Sequence, residues 1–271
     1  MKNFAVFVSS SDNYSDIWDL FFDLFYKYWP EYDGRIYLQT QEKEYNHPNL
    51  DIICTKVGKL RYFGQTLRAG LDKIPEENIL FIMIDYIFMD KVDHLRIMRY
   101  YDFFKSHDVD SLRLIEENFE YYNNTEDSDI KQCFPPAPNR FFSYQIGFWK
   151  KSMLKEMALP HENPWSSEWY GDKRAHIIPL KLYSIKREVA LPILYDARGC
   201  LHRGKWLSEA VSFLNSIHYS IDFTRRGFYV DEYNKYSTYL KLSYMLKKDG
   251  LKGGYWDLFK RKYLKWEKFH W

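Results

Sequence analysis

Short apolar runs and amphipathic stretches take turns along the first hundred residues. NFAVFV at 3–8 reads as a buried strand ending in the polar cluster SSSDN, and DIWDLFFDLFYKYW then carries apolar residues at helical spacing. GRIYLQT at 34–40 and LDIICTKV at 50–57 read as two short strands joined by a polar connection. FGQTLRAGLDKI at 63–74 predicts a helix, PEEN a turn, and ILFIMI at 79–84 a strand apolar on both faces, which implies a central place in a covered sheet. Alternating strands and helices of this kind predict an α/β fold with an open, mainly parallel sheet flanked by helices.

Further along, VDHLRIMRYYDFFKSHD predicts a helix, SLRLIEE a strand and YYNNTEDSD a polar loop. CFPPAPNR, with three prolines, predicts irregular chain. FFSYQIGFWKKSMLKEM predicts a strand feeding a helix, HENPWSSEWYGDKRAHII a loop and another helix, and GKWLSEAVSFLNS a helix. From about residue 231 the pattern is helical, with a break at Gly253 and Gly254. No internal repeat and no Gly/Ser linker divides the chain, so the expected organisation is a main domain over 1–225 and a helical extension over 226–271.

Charge sharpens that division. The formal net charge is only +2, which does not argue for nucleic acid as a partner. From Leu251 onward there are six Lys/Arg against two Asp/Glu, so the positive charge is concentrated at the C-terminus. There, Trp256, Phe259, Tyr263 and Trp266 recur at spacings of three and four among Lys260, Arg261, Lys262, Lys265 and Lys268. This pattern suits an amphipathic helix at an anionic membrane surface, or a helix packed on the main domain or on a second subunit. Aromatic residues reach 20%, compatible with a Tyr/Phe-rich core or a ligand surface. Cys54, Cys133 and Cys200 are far apart with no Cys/His pairing at zinc spacing, which fits a reducing compartment. The apolar run in MKNFAVFVSSSDN is too short for a signal-peptide core, and no stretch of about 18 uncharged apolar residues occurs. The expected location is cytoplasmic, with the inner face of the membrane as a peripheral option.

Ligands of open α/β sheets gather at the carboxyl ends of the strands. Ser9, Ser10, Ser11, Asp12 and Tyr14 follow the first strand, and Asp85 and Tyr86 follow the buried one. A carboxylate at the lip of an apolar strand stays wet, binds a cation or hydrogen-bonds a ligand; Asp also caps turns readily. Asp90 reads as a solvated loop residue or a cap for VDHLRIM. In NPWSSEWYGDKRA, Glu168 lies between Trp165 and Trp169, an aromatic setting that suits a general base beside a stacked sugar. The same segment suits a plain helix start, with Ser166 or Ser167 as cap and Glu168 favouring the dipole. HRGK at 202–205 and RRGF at 225–228 offer Arg and Lys to phosphates, although most such pairs are surface charge. Phosphate-binding loops, the serine-hydrolase elbow and the His-Glu-x-x-His zinc motif are all missing from the sequence.

In order, VSSSDNYSDIW, GQTLRAGLDKIPEENILFIMIDYIF, YQIGFWKKSML, NPWSSEW and RGKW resemble bacterial GT-A-type glycosyltransferases of cell-surface polysaccharide clusters, over roughly residues 3–215. In that family a strand ends in a short acidic motif and a Trp-x-x-Glu segment follows the central sheet. The resemblance implies a nucleotide-diphosphosugar-binding fold and sugar transfer to a hydroxyl of a capsule, lipopolysaccharide or related glycan, free or lipid-linked. It implies donor contacts from Ser9, Ser10, Asp12, Tyr14, Tyr86, Arg203 and Lys205, acceptor contacts from Trp165 and Trp169, and catalytic roles for Glu168 and Asp85. Glu168 would be the base of an inverting transfer, and Asp85 would hold Mg²⁺ or Mn²⁺ at the leaving diphosphate. One departure stands out: Ile84 occupies the place of the first acidic residue, leaving a single carboxylate as metal clamp and part of the neutralisation to the RGK segment. That departure keeps a second possibility in view, a non-catalytic sugar- or nucleotide-binding protein of the same architecture. A nucleotidyltransferase is a third, disfavoured because no Gly-rich, basic loop follows the first strand.

Overall fold

The computed structural model describes residues 4–116, 121–134, 141–175 and 177–230. Nine strands form one sheet: β1 (Ala5–Ser9), β2 (Ile36–Leu38), β3 (Ile52–Cys54), β4 (Asn78–Met83), β5 (Ser111–Arg113), β6 (Tyr122–Asn124), β7 (Ile130–Cys133), β8 (Gly147–Lys150) and β9 (Leu182–Ile185). Their order is β3-β2-β1-β4-β8-β5-β9-β7-β6. Strands β3, β2, β1 and β4 pair in parallel, β8 runs against both its neighbours, β9 lies parallel to β5, and β7 reverses again. Seven strands therefore point one way and β7 and β8 the other, an open, mostly parallel α/β sheet as expected.

Helices cover both faces. α1 (Trp18–Tyr28), α3 (His94–Ser106) and α6 (Ser208–Ser216) lie over one, and α2 (Phe63–Asp72), α4 (Lys151–Met157) and α5 (Pro164–Arg174) over the other. Strand β4 shows why its sequence is apolar throughout: Leu80 and Ile82 enter the first layer, Ile79 and Phe81 the second, and all four are fully buried. The first layer is strongly aromatic, with Phe4 in edge contact with Phe148 and with Trp29 nearby, so many of the aromatic residues described are core.

Several elements depart from the expected pattern. The 121–129 stretch is not all loop: Tyr122–Asn124 pairs antiparallel with Ile130–Cys133. All three β6 residues are exposed, so this edge strand is held by backbone pairing and carries no apolar alternation to read. Lys205–Trp206 is strand β11, paired with β10 (Leu201–His202), and the helix expected from 204 begins at Ser208. The cap of α3 is Asp93, which accepts from the Arg96 N–H at 3.0 Å, whereas Asp90 is exposed and bonds only its neighbour Lys91. Residues 226–230, the start of the expected extension, run alongside β11; the amphipathic basic segment at 251–271 lies outside the described residues.

Candidate active site

The carboxyl ends of β1 and β4 lie side by side, joined where the Ile84 N–H donates to the Ser9 carbonyl at 3.0 Å. Past that point the two segments separate, with Ser10–Tyr14 following β1 and Asp85 and Tyr86 following β4. Ser9 and Ser10 are buried. The Ser10 hydroxyl accepts from the Trp18 indole at 2.8 Å and its carbonyl from the Gln39 amide at 2.8 Å, so Ser10 ties β1 to α1 and to the end of β2. The Asp12 carboxylate accepts from the N–H groups of Gln41, Glu42 and Lys43 at 2.8, 2.9 and 3.1 Å. Burial works to raise its carboxyl, but those three donors and the Lys43 charge prevail and hold it below the ordinary value. Asp12 thus shapes the loop after β2. Tyr14 lies beneath the Arg226 guanidinium, 4.9 Å from ring centre to carbon.

Asp85 is the second residue beyond β4, in a turn closed by the Tyr86 N–H on the Met83 carbonyl. The segment 196–200 covers it: the Cys200 N–H donates to the Asp85 carbonyl at 2.7 Å, and Gly199, at φ +80, packs so close that a Cβ there would stand 2.7 Å from Asp85 Oδ2. Only glycine combines that backbone conformation with that approach. Asp85 keeps some solvent contact, yet the crowding of its surroundings pushes the carboxyl up to about 7; its own backbone N–H and the charge of Arg226 pull the other way. Tyr86 is buried with its ring 5.0 Å from Tyr195.

Glu168, Trp165 and Trp169 lie on α5. The cap of that helix is Asn163, in a reciprocal pair with Ser166, rather than Ser166 or Ser167 themselves, because Pro164 starts the helix two residues earlier. Glu168 Oε1 accepts from the Tyr144 N–H at 2.9 Å, and one turn on Asp172 accepts from the Phe142 N–H at 2.7 Å. Trp165 is 42% exposed, while the Lys173 ammonium stands over the Trp169 ring at 4.8 Å. Behind them Arg174 and the buried Glu162 form a two-pronged pair at 2.7 and 2.8 Å that anchors α5.

The segment entering β8 connects the two groups of residues. Tyr144 engages Glu168 and, through its hydroxyl, Ser167 at 2.6 Å; the next residue, buried Gln145, donates to the Ala197 carbonyl at 3.0 Å and accepts from the Tyr195 hydroxyl at 2.9 Å. Glu168 and the loop over Asp85 thus hang on two consecutive residues. Arg203 and Lys205 are exposed at the β10–β11 turn, where Arg203 and Gly204 both adopt positive φ. Gln145, Tyr195, Gly199 and Arg226 complete the site although sequence reasoning did not single them out; only Arg226, within RRGF, carried a visible signal.

The surroundings of Asp85 do not fit a divalent cation as they stand. The space beside it, bounded also by Asp196, Gly199, Cys200 and Glu209, is about 10 Å³, room for roughly one water. Asp196 and Glu209 are both engaged by Arg198, at 2.8 and 2.9 Å. Among the described residues no three His, Cys, Asp or Glu side chains converge as a cation site.

No protein-family model matches the chain, and no curated protein does. Among solved structures it is similar to S. aureus TarS 1–349, with a TM-score of 0.46 and 13% identity over 70% of this chain and 59% of that one. For S. aureus TarS the values are 0.45 and 13%, over 70% and 36% of the two chains. For TarS 1–349 in complex with UDP-GlcNAc they are 0.46 and 12%, over 83% and 69%. The chain thus spans less than two thirds of the length of the first two. Likeness at this level assigns neither family nor activity.

Proposed function

We propose that the protein is a glycosyltransferase that moves a sugar from a nucleoside-diphosphate donor to a hydroxyl of a bacterial cell-surface glycan. The observation that carries this reading is that Asp85 and the loop after β1 lie together at the carboxyl edge of parallel strands, with the segment leading into β10 on Asp85 and Arg226 joining the basic β10–β11 turn to that loop. The acceptor oxygen attacks the anomeric carbon as the bond to the departing phosphate breaks, and the electron pair leaves with the nucleoside diphosphate. Arg203 and Lys205 offset that charge. Asp85, titrating near neutrality, hydrogen-bonds a donor hydroxyl. Glu168, oriented by the Tyr144 N–H, takes the acceptor proton from the opposite side, which gives inversion. Trp165 and Trp169 supply stacking faces for the acceptor. No step here runs through Mg²⁺ or Mn²⁺.

The same geometry favours one second reading. Gly199 lies on Asp85 and Glu168 serves a backbone N–H, as in a binding protein of this architecture that performs no transfer. A thermal-shift panel of nucleoside diphosphates and nucleotide sugars, with and without Mn²⁺, tests the shared premise: at least one should raise the melting temperature, and a flat panel removes it. Glu168→Gln should then abolish transfer while nucleotide binding persists. Turnover that disappears in Asp85→Ala would count against the binding-only reading. Among the described residues no helix is long and apolar enough to cross a membrane, and contact with an anionic surface through residues 251–271 is part of the proposal. A cytoplasmic location, at the inner face of the membrane, accords with that contact.

A further inference from the structure

Arg226 touches several segments at this edge. Its Nε donates to Asp16 Oδ2 at 2.7 Å and its Nη2 to Asp16 Oδ1. Nη2 also reaches the Asn13 carbonyl at 2.9 Å, Nη1 the Gly204 carbonyl at 3.4 Å, and the guanidinium plane covers Tyr14. One side chain therefore touches the loop after β1 and the turn between β10 and β11. Both side chains of the ion pair are mostly buried, Arg226 at 12% exposure and Asp16 at 10%.

The base of Arg226 is equally constrained. The Asp222 carboxylate caps the short helix Phe223–Arg225, the Gly227 N–H closes on the Phe223 carbonyl at 3.0 Å, and Trp206 exchanges backbone bonds with Gly227 and Tyr229 at 3.0 and 2.8 Å. On the far side, Asp12 fastens the loop after β1 to residues 41–43. Arg226 bridges these two loops, and the neighbouring Arg225 also approaches Asp16, at 3.9 Å. A guanidinium performs this task and an ammonium does not, because four acceptors and an aromatic face are met by one planar fork.

We infer that Arg226 is a positioning residue of the nucleotide site, a clasp that sets the loop bearing Asp12 and Tyr14 at a fixed distance from the basic turn bearing Arg203 and Lys205. Its bearing on a nucleoside diphosphate rests on the function proposed above. With its charge taken up by Asp16, Arg226 acts through these loops and not as a phosphate ligand.

The test combines titration calorimetry, using a nucleoside diphosphate that shifts the wild-type melt, with amide hydrogen exchange on Arg226→Ala, Arg226→Lys and the charge exchange Asp16→Arg/Arg226→Asp. Affinity should fall on the order of ten- to a hundredfold in both single variants. Exchange should quicken in residues 11–16 and 202–206 together, and the charge exchange should recover part of both effects. If Arg226→Ala does not fold, Arg226→Lys carries the test. Affinity within roughly twofold of wild type in the folded single variant overturns the inference. Wild-type protein that binds no nucleoside diphosphate sinks the functional reading by itself. The exchange data then decide the clasp alone: joint loosening of the two segments upholds it, and loosening of one or neither overturns it.

Discussion

The two halves of the sheet are held by different means. In β3-β2-β1-β4 every pairing is parallel, and the adjacent strands β1 and β4 are mostly apolar and buried on both faces. In β8-β5-β9-β7-β6 one parallel pairing, β5 with β9, stands among three antiparallel ones, and Ser111, Arg113, Lys131 and Ser184 are buried within the strands. Charge partners take over part of the work there: Lys131 pairs with Glu116, and Lys150 with Asp108 and Asp110. The carboxylates register the contrast. Lys150 and Lys181 draw Asp108 down to about 2, whereas burial at the apolar edge pushes Asp85 up to about 7. Among the described residues no cation hydrogen-bonds Asp85, and the charge of Arg226 only partly offsets the burial that raises its carboxyl.

The largest test of this contrast is a pair of deletions. Phe81→Ala in the apolar half and Lys131→Ala in the charged half should each cost about 3–5 kcal/mol in urea unfolding, the first by opening a cavity and the second by leaving Glu116 in place without its charge partner. Lys131→Met combined with Glu116→Leu should recover most of the loss, to within about 1 kcal/mol of wild type. A Lys131→Ala protein as stable as wild type would mean that the second half does not rely on its buried pair.

Next in size is the pH dependence contributed by Asp85. Between its ordinary 3.8 and about 7 the folded protein holds a proton that the unfolded chain has released, so this group's stabilising contribution is present at low pH and is lost as pH rises through 7. Melting curves from pH 5 to 8.5 should decline less steeply in Asp85→Asn than in wild type, with the variant ahead at the alkaline end. Parallel curves would show that Asp85 titrates as an ordinary carboxyl. The smallest effect belongs to Asp108, whose lowered value works in the opposite sense: its contribution is present above 3.8 and is lost as pH falls toward 2. Asp108→Asn should flatten that acid limb by lowering the melt slightly above pH 4, a loss kept small by the solvent around Asp108, with the two proteins converging toward pH 2.

The apolar half was legible in the sequence because each of its strands and helices carries its own period. NFAVFV, ILFIMI and FGQTLRAGLDKI announce themselves through residues that must be buried wherever they go. The mixed half was legible only in part. Tyr122–Asn124 is exposed on all three residues, and Leu182–Ile185 and the β10–β11 hairpin are too short to develop a period. Among the candidate residues, Asp85 could be read from its place after an apolar strand. Gly199 and Gln145 could not, since each matters through a partner 50 or more positions away, and RRGF marked Arg226 only as a candidate phosphate contact.

By itself the sequence determined the alternating α/β layout, the strand that carries Asp85 and the loop that carries Asp12, because local periodicity and the cost of exposing apolar surface are properties of short segments. Only the tertiary structure decided that Asp12 is spent on residues 41–43, that Gly199 lies on Asp85, and that Arg226 joins the first-strand loop to a turn formed nearly two hundred residues later. Those outcomes depend on which distant backbone groups meet a given side chain once the sheet has closed, and no spacing along the chain encodes that meeting.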